Sequence, residues 1–170
     1  AHLIDLNTSP TRAAFIWSLV MMVMIGGKLA FGPLADRWGA GKAMALAFVL
    51  YCAAVVALLF AQAYAVAVLF AVFYGFAGGA PLTLNPLLTM ENMGTKNFGM
   101  LYGILVIVAS VGAGIGPVAT GATFDLAGTY LPIFVLFLFC MGGGILISLN
   151  IRPAAAPAPQ DIGADTEDAA

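Results

Sequence analysis

Long apolar runs separated by short polar stretches organise this chain from end to end. A helix that crosses a bilayer needs roughly 20 mostly apolar residues. Five runs meet that length, at about 12–31, 43–61, 65–88, 98–120 and 130–150. The first gives way to Gly32-Pro33-Leu34-Ala35-Asp36-Arg37-Trp38-Gly39-Ala40-Gly41-Lys42, a stretch that predicts a loop. Gln62-Ala63-Tyr64, Glu91–Asn97 and Phe124–Thr129 interrupt the later runs. The pattern predicts an all-α polytopic membrane bundle over 1–152. Beyond Arg152 the segment PAAAPAPQDIGADTEDAA is rich in Ala, Pro and acid, which predicts a disordered tail over 153–170.

Composition makes the membrane reading firm. Of 170 residues, 62% are hydrophobic and only 8% charged, whereas a soluble domain carries about 25% charged residues. A small domain leaves much of its surface exposed, so it has no interior large enough to hide this apolar excess. The excess must face lipid. An ordinary soluble enzyme, a disordered chain and a nucleic-acid binder are excluded on the same ground, and six Lys and Arg supply no basic face. Cys52 and Cys140 lie in apolar runs, and His2 is the only histidine. Neither a disulfide framework, a metal site nor a cofactor is expected. Gly41-Lys42 lacks the remaining letters of a phosphate-binding loop, and the glycines of 112–116 follow no strand. The opening AHLIDLNTSP is too polar for a signal peptide, and a chain that does not begin with Met is expected to be part of a longer one.

Charge sets the expected orientation. Because spans alternate in direction, Arg37, Lys42, Lys96 and Arg152 fall on one side, with Lys28 near the same end of its helix and Arg12 opposite. The positive-inside rule then predicts a cell (inner) membrane protein with its N-terminus outside and its C-terminus cytoplasmic. Trp17, Tyr64 and Tyr130 mark the outer boundary and Trp38 the inner one. Gly75 and Gly79, Gly99 and Gly103, and Gly112 and Gly116 are each four apart, a spacing that lets helix backbones approach closely. Pro81, Pro86 and Pro117 fall inside apolar runs and predict bent or broken helices beside an aqueous path.

Lys28 is the one charged residue well inside an apolar run. Such a residue is a functional hypothesis by default, because a charge at bilayer centre costs about 2.5–3.5 kcal/mol on insertion scales. Two readings are open: a partner for an anionic substrate, or a side chain that snorkels to the cytoplasmic interface. Thr83, Asn85 and Thr89 are polar positions in the third run. They either line a cavity or satisfy carbonyls freed by the neighbouring prolines.

The stretch from Gly32 to Lys42 resembles the signature loop of the major facilitator superfamily, G-x-L-a-D-r-x-G-r-k, with Gly32, Leu34, Asp36, Arg37 and Gly39 in register. The resemblance implies a conformational latch made by Gly32, Asp36, Arg37 and Gly39. Gly103, Gly112, Gly116 and Pro117 follow the glycine–proline pattern of antiporters in that superfamily, with Thr120 departing from the expected glycine. They imply a bent, closely packed helix. HLIDLNTSPTRAA, GKLAFGPLADRWG, NFGMLYG, GPVATGATFDLAGTY and the acidic tail are together similar to the C-terminal half of the monocarboxylate/oxalate–formate branch. The five spans would then be helices eight to twelve of twelve, with the N-terminal half of the same polypeptide as the missing partner. The first, third and fourth would face the site, and the second and fifth would face lipid. Lys28 stands four before Gly32, where the branch carries a cation, usually arginine. The resemblance makes it a partner for a substrate carboxylate, beside Thr83 and Asn85. The expected activity is alternating-access transport of a small organic anion such as a monocarboxylate. The rival from another class is a small membrane scaffold that acts by helix packing alone.

Overall fold

The structure, a computed structural model, describes residues 10–59 and 64–151. The expected disordered tail at 153–170 lies outside them. Five helices follow in order: α1 Pro10–Trp38, α2 Ala40–Leu59, α3 Tyr64–Met93, α4 Phe98–Ala127 and α5 Leu131–Asn150. All five are long and apolar enough to cross a membrane. The chain is an all-α polytopic helix bundle.

The expected loop at Gly32–Lys42 is not there. α1 runs through Gly32 and Pro33 to Trp38, and α2 starts at Ala40. Packing explains the extension: Phe31 and Ala35 are buried with Ala40, Ala43, Met44 and Ala47 of α2 and with Ala80 and Leu84 of α3. The van der Waals contacts of that packing outweigh the one backbone hydrogen bond that Pro33 forfeits. The turn shrinks to Gly39, whose φ of +87° is a left-handed conformation open to glycine. Its N–H donates to the Ala35 carbonyl at 2.8 Å, and its own carbonyl accepts from Ala43 N–H at 3.1 Å.

The prolines do not break the helices either. Pro33, Pro81, Pro86 and Pro117 all lie inside continuous helix, so α3 reaches Met93 and α4 reaches Ala127, past the expected ends. Each proline removes one i→i−4 bond while the flanking turns continue.

The packed elements lie in the order α1, α3, α2, α5, with α4 to one side. Glycine sets two of the close approaches. On α2 and α5, Gly144 lies against the Phe48 ring, and a Cβ on Gly41 would stand 2.7 Å from the Ser148 carbonyl. Val55 of α2 is buried with Ile133 and Phe134 of α5. Of the two helices expected to face lipid, α2 is therefore enclosed between α3 and α5, while half of the α5 residues are exposed. None of the residues of α4 is buried.

Candidate functional site

The closest approach in the described chain is the crossing of α1 and α3, and Lys28 sits on it. A Cβ on Gly79 would collide with the Lys28 backbone nitrogen and stand 2.6 Å from the Gly27 carbonyl carbon and 2.8 Å from the Met24 carbonyl oxygen. A Cβ on Gly75 would stand 2.7 Å from the Val20 carbonyl, and one on Gly27 would collide with the Phe76 carbonyl. The two backbones touch because three positions lack a side chain. The spacing of Gly75 and Gly79 therefore marks a real contact stripe.

Thr83 lies one turn beyond Gly79 and donates toward the Lys28 carbonyl at 3.4 Å and the Gly79 carbonyl at 3.5 Å. Both distances are at the long end for a hydroxyl, so the proton is shared between two weak acceptors. Thr89 donates to the Asn85 carbonyl at 2.7 Å. Pro81 and Pro86 free the carbonyls of residues four earlier, Ala77 and Leu82, and neither threonine reaches those. The structure thus brings Thr83 to the Lys28 main chain. Asn85, two residues on, falls on another face of α3.

The depth of Lys28 follows from the corrected turn. It lies eleven residues before Gly39, about 16 Å along the helix at 1.5 Å per residue. Asp36, the next charged group toward the Gly39 turn, is eight residues away, about 12 Å. A four-carbon stem does not bridge that distance, which weakens the snorkelling reading. The Lys28 residue is exposed on the surface of the described bundle.

The latch candidates are split between two settings. Gly32 is helical with open space around it, and Gly39 is the turn itself. Asp36 and Arg37 are exposed in the last turn of α1. There the helix dipole favours Arg37 and disfavours Asp36, which the nearby N-terminus of α2 offsets. Among the described residues neither has an ion-pair partner, and Glu91 at the end of α3 has none either.

On α4, a Cβ added at Gly103, Gly112 or Gly116 would meet nothing within 4 Å. Pro117 lies between the half-exposed Gly116 and the exposed Val118. The described helices do not fill this stripe. Two tyrosines escaped the sequence reading. Tyr51 and Tyr74 sit well inside their spans and meet edge-on, with ring centroids 5.4 Å apart. The available signal was their distance from the interfacial belts where tyrosine collects.

Comparison with known proteins places this arrangement. The chain matches the Major Facilitator Superfamily over residues 2–168. It is 32% identical to monocarboxylate transporter 13 of Rattus norvegicus over 177 residues, covering 99% of this chain and 41% of that protein. It is 31% identical to monocarboxylate transporter 13 of Bos taurus, covering 95% of this chain and 40% of that protein. With monocarboxylate transporter 12 of Rattus norvegicus it shares 28% identity, covering 82% of this chain and 30% of that protein. The chain spans well under half the length of these relatives. No solved structure matches. With five apolar helices and a match along nearly its whole length, this chain is an integral membrane protein of the major facilitator superfamily, similar to its monocarboxylate transporters.

Proposed function

We propose that the chain supplies helices eight to twelve of a secondary transporter that moves a small organic anion, a monocarboxylate by the likeness of its relatives, by alternating access. The observation that carries this reading is Lys28, a cation about 16 Å from the nearest turn, on a helix crossing held by glycine backbone contacts. A lone cation there lowers the electrostatic cost of an anion and raises it for a cation. A lysine holds a carboxylate as a point charge and not through a bidentate fork, so a monocarboxylate suits it better than a planar dicarboxylate. Thr83 lies behind the site, its hydroxyl 3.4 Å from the Lys28 carbonyl, and Asn85 remains a candidate contact from α3.

The test is uptake by the full-length protein in vesicles. Labelled pyruvate should be taken up, and small carboxylates should compete while their uncharged amides do not. Equal competition by acid and amide, or strong uptake of an organic cation, rejects the anion assignment. The same assay reads the latch. Asp36→Asn should insert normally but slow uptake, because in the complete protein the carboxylate would meet a helix N-terminus or an arginine in only one conformation. Unchanged uptake would reduce Asp36 and Arg37 to topology signals. Glycine and proline on α4, at Gly103, Gly112, Gly116 and Pro117, would meet helices of the N-terminal half in that complete bundle. A scaffold acting by packing alone predicts no uptake at all.

The orientation is also a proposal, with the N-terminus outside and the turn at Gly39 in the cytoplasm of the cell (inner) membrane. Cysteine at Lys42 or Asn97 should resist an impermeant thiol reagent in intact cells, and cysteine at Asn7 should react. Labelling of the first two from outside reverses the orientation.

A further inference from the structure

The end of the bundle at Gly39 carries charge that no described residue pairs. α1, α3 and α5 finish at this end, and α2 and α4 begin there. Arg37 and Lys42 stand exposed on either side of the turn, with Asp36 beside them. Glu91 and Lys96 lie at the same end, before and within the connection from α3 to α4. None of these groups has an ion-pair partner among the described residues. Lys42 sits in the first turn of α2, where the helix dipole disfavours a cation and favours an anion. The N–H groups of Ala40, Gly41 and Lys42 have no side-chain acceptor among the described residues.

The chain leaves α5 against that same first turn. A Cβ on Gly41 would stand 2.7 Å from the Ser148 carbonyl and 3.5 Å from the Ile151 carbonyl. Residues 153–170 then carry four acids, Asp161, Asp165, Glu167 and Asp168, and no base. Asp161 is ten residues beyond Ile151, and ten residues span at most about 36 Å. Lys42 adjoins Gly41 and Arg37 precedes it by four residues, so both lie within that reach. A tether this short keeps the acids near the turn at about millimolar effective concentration, where even a weak contact is populated.

We propose that the surface at the α1–α2 turn is a docking site for the chain's own acidic segment, residues 161–168. Its carboxylates pair with Lys42 and Arg37 and accept from the uncapped N–H groups of α2. The four acids of the segment outnumber Asp36, the one acid at the turn, and the match is of charge and not of shape. Exposed pairs of this kind are individually weak and screened by salt. The contact acts as a brake. An Arg37 held by the acidic segment is withheld from the N-terminal half, so each cycle must first release it. That consequence rests on the reading of Asp36 and Arg37 as a latch, whereas the contact itself does not.

The experiment treats the full-length protein in phosphatidylcholine nanodiscs with a carbodiimide that joins adjacent amines and carboxylates, read by peptide mass spectrometry. Links from Lys42 to Asp161, Asp165, Glu167 or Asp168 should form at about 0.1 M salt. They should fall about tenfold at about 1 M, where the Debye length shortens from about 10 to 3 Å. Links to Lys96 alone, no links, or links that persist at high salt would overturn the proposal. So would their loss in discs containing phosphatidylglycerol, which would make anionic lipid the occupant. Uptake of labelled pyruvate reads the brake. Neutralising the segment with Asp161→Asn, Asp165→Asn, Glu167→Gln and Asp168→Asn should raise the initial rate about two- to threefold. Lys42→Gln, which leaves Asp36 and Arg37 in place, should raise it too and add little to the neutralised segment. Links with unchanged uptake would keep the contact and remove the brake. No uptake even by the parent would reject the transport reading, and the links alone would then decide the contact.

Discussion

Lys28→Ala in the complete transporter should abolish uptake of carboxylates while leaving expression and insertion intact. A carboxylate about 4 Å from an ammonium at an effective dielectric near 20 gains about 4 kcal/mol, roughly a thousandfold in binding. The crossing itself does not depend on the lysine side chain. It is the Lys28 backbone that meets Gly79 and accepts from Thr83, so truncation to alanine leaves the α1–α3 contact in place. Lys28→Arg should keep much of the activity, because the site needs charge and the branch resembled here usually carries arginine. Transport and binding are the readouts, measured beside surface abundance. The snorkelling alternative predicts the opposite sign: removing a charge from the apolar run would ease insertion and cost nothing in transport. Undiminished pyruvate uptake by Lys28→Ala would falsify the anchor assignment.

What could be read in the sequence was what length and charge control. Five helices follow from five apolar runs near the thickness of a bilayer, and no tertiary contact is needed to count them. Helix ends were less legible. Gly32, Pro33 and Asp36 carry the marks of a loop, yet α1 continues through them because Phe31 and Ala35 bury themselves against α2 and α3. Local breaker signals lose to packing that lies elsewhere in the chain. The one residue of that stretch that had to be in a turn, Gly39, is the one with positive φ.

The glycine stripes show the same limit from another side. Gly75 and Gly79 share their spacing with Gly112 and Gly116. The first pair meets Val20, Met24 and Gly27 of α1, and the second meets nothing among the described residues. Spacing reveals that a helix has a flat face, but the partner for that face is set by topology. Lys28 stands out as a candidate because a charge is conspicuous against apolar neighbours, whereas tyrosine counts as apolar in the pattern, so the edge-on pair of Tyr51 and Tyr74 gives no such signal.

Gly27→Ala and Gly79→Ala should each destabilise the bundle, whereas Gly26→Ala should not. The three positions separate backbone contact from helix propensity. A methyl at Gly26 would meet nothing within 4 Å, and alanine is the better helix former by about 1 kcal/mol in soluble hosts. A methyl at Gly27 would collide with the Phe76 carbonyl, and one at Gly79 with the Lys28 nitrogen. These are main-chain atoms, which cannot turn aside as a flexible side chain would. The helices must part, and the tight contacts around Val20, Val23 and Met24 loosen with them. Overpacking of this kind costs about 1–3 kcal/mol, and a domain of this size loses about 2–4 °C in Tm per kcal/mol. Thermal unfolding in detergent should therefore place Gly27→Ala and Gly79→Ala several degrees below the parent and Gly26→Ala at or above it. In uptake the first two should also fail at ordinary surface abundance, because moving α3 away from α1 carries Thr83 off the Lys28 carbonyl. A parent-like Tm for Gly79→Ala would mean that α1 and α3 do not touch through their backbones, and the placement of Lys28 beside Gly79 would have to be abandoned.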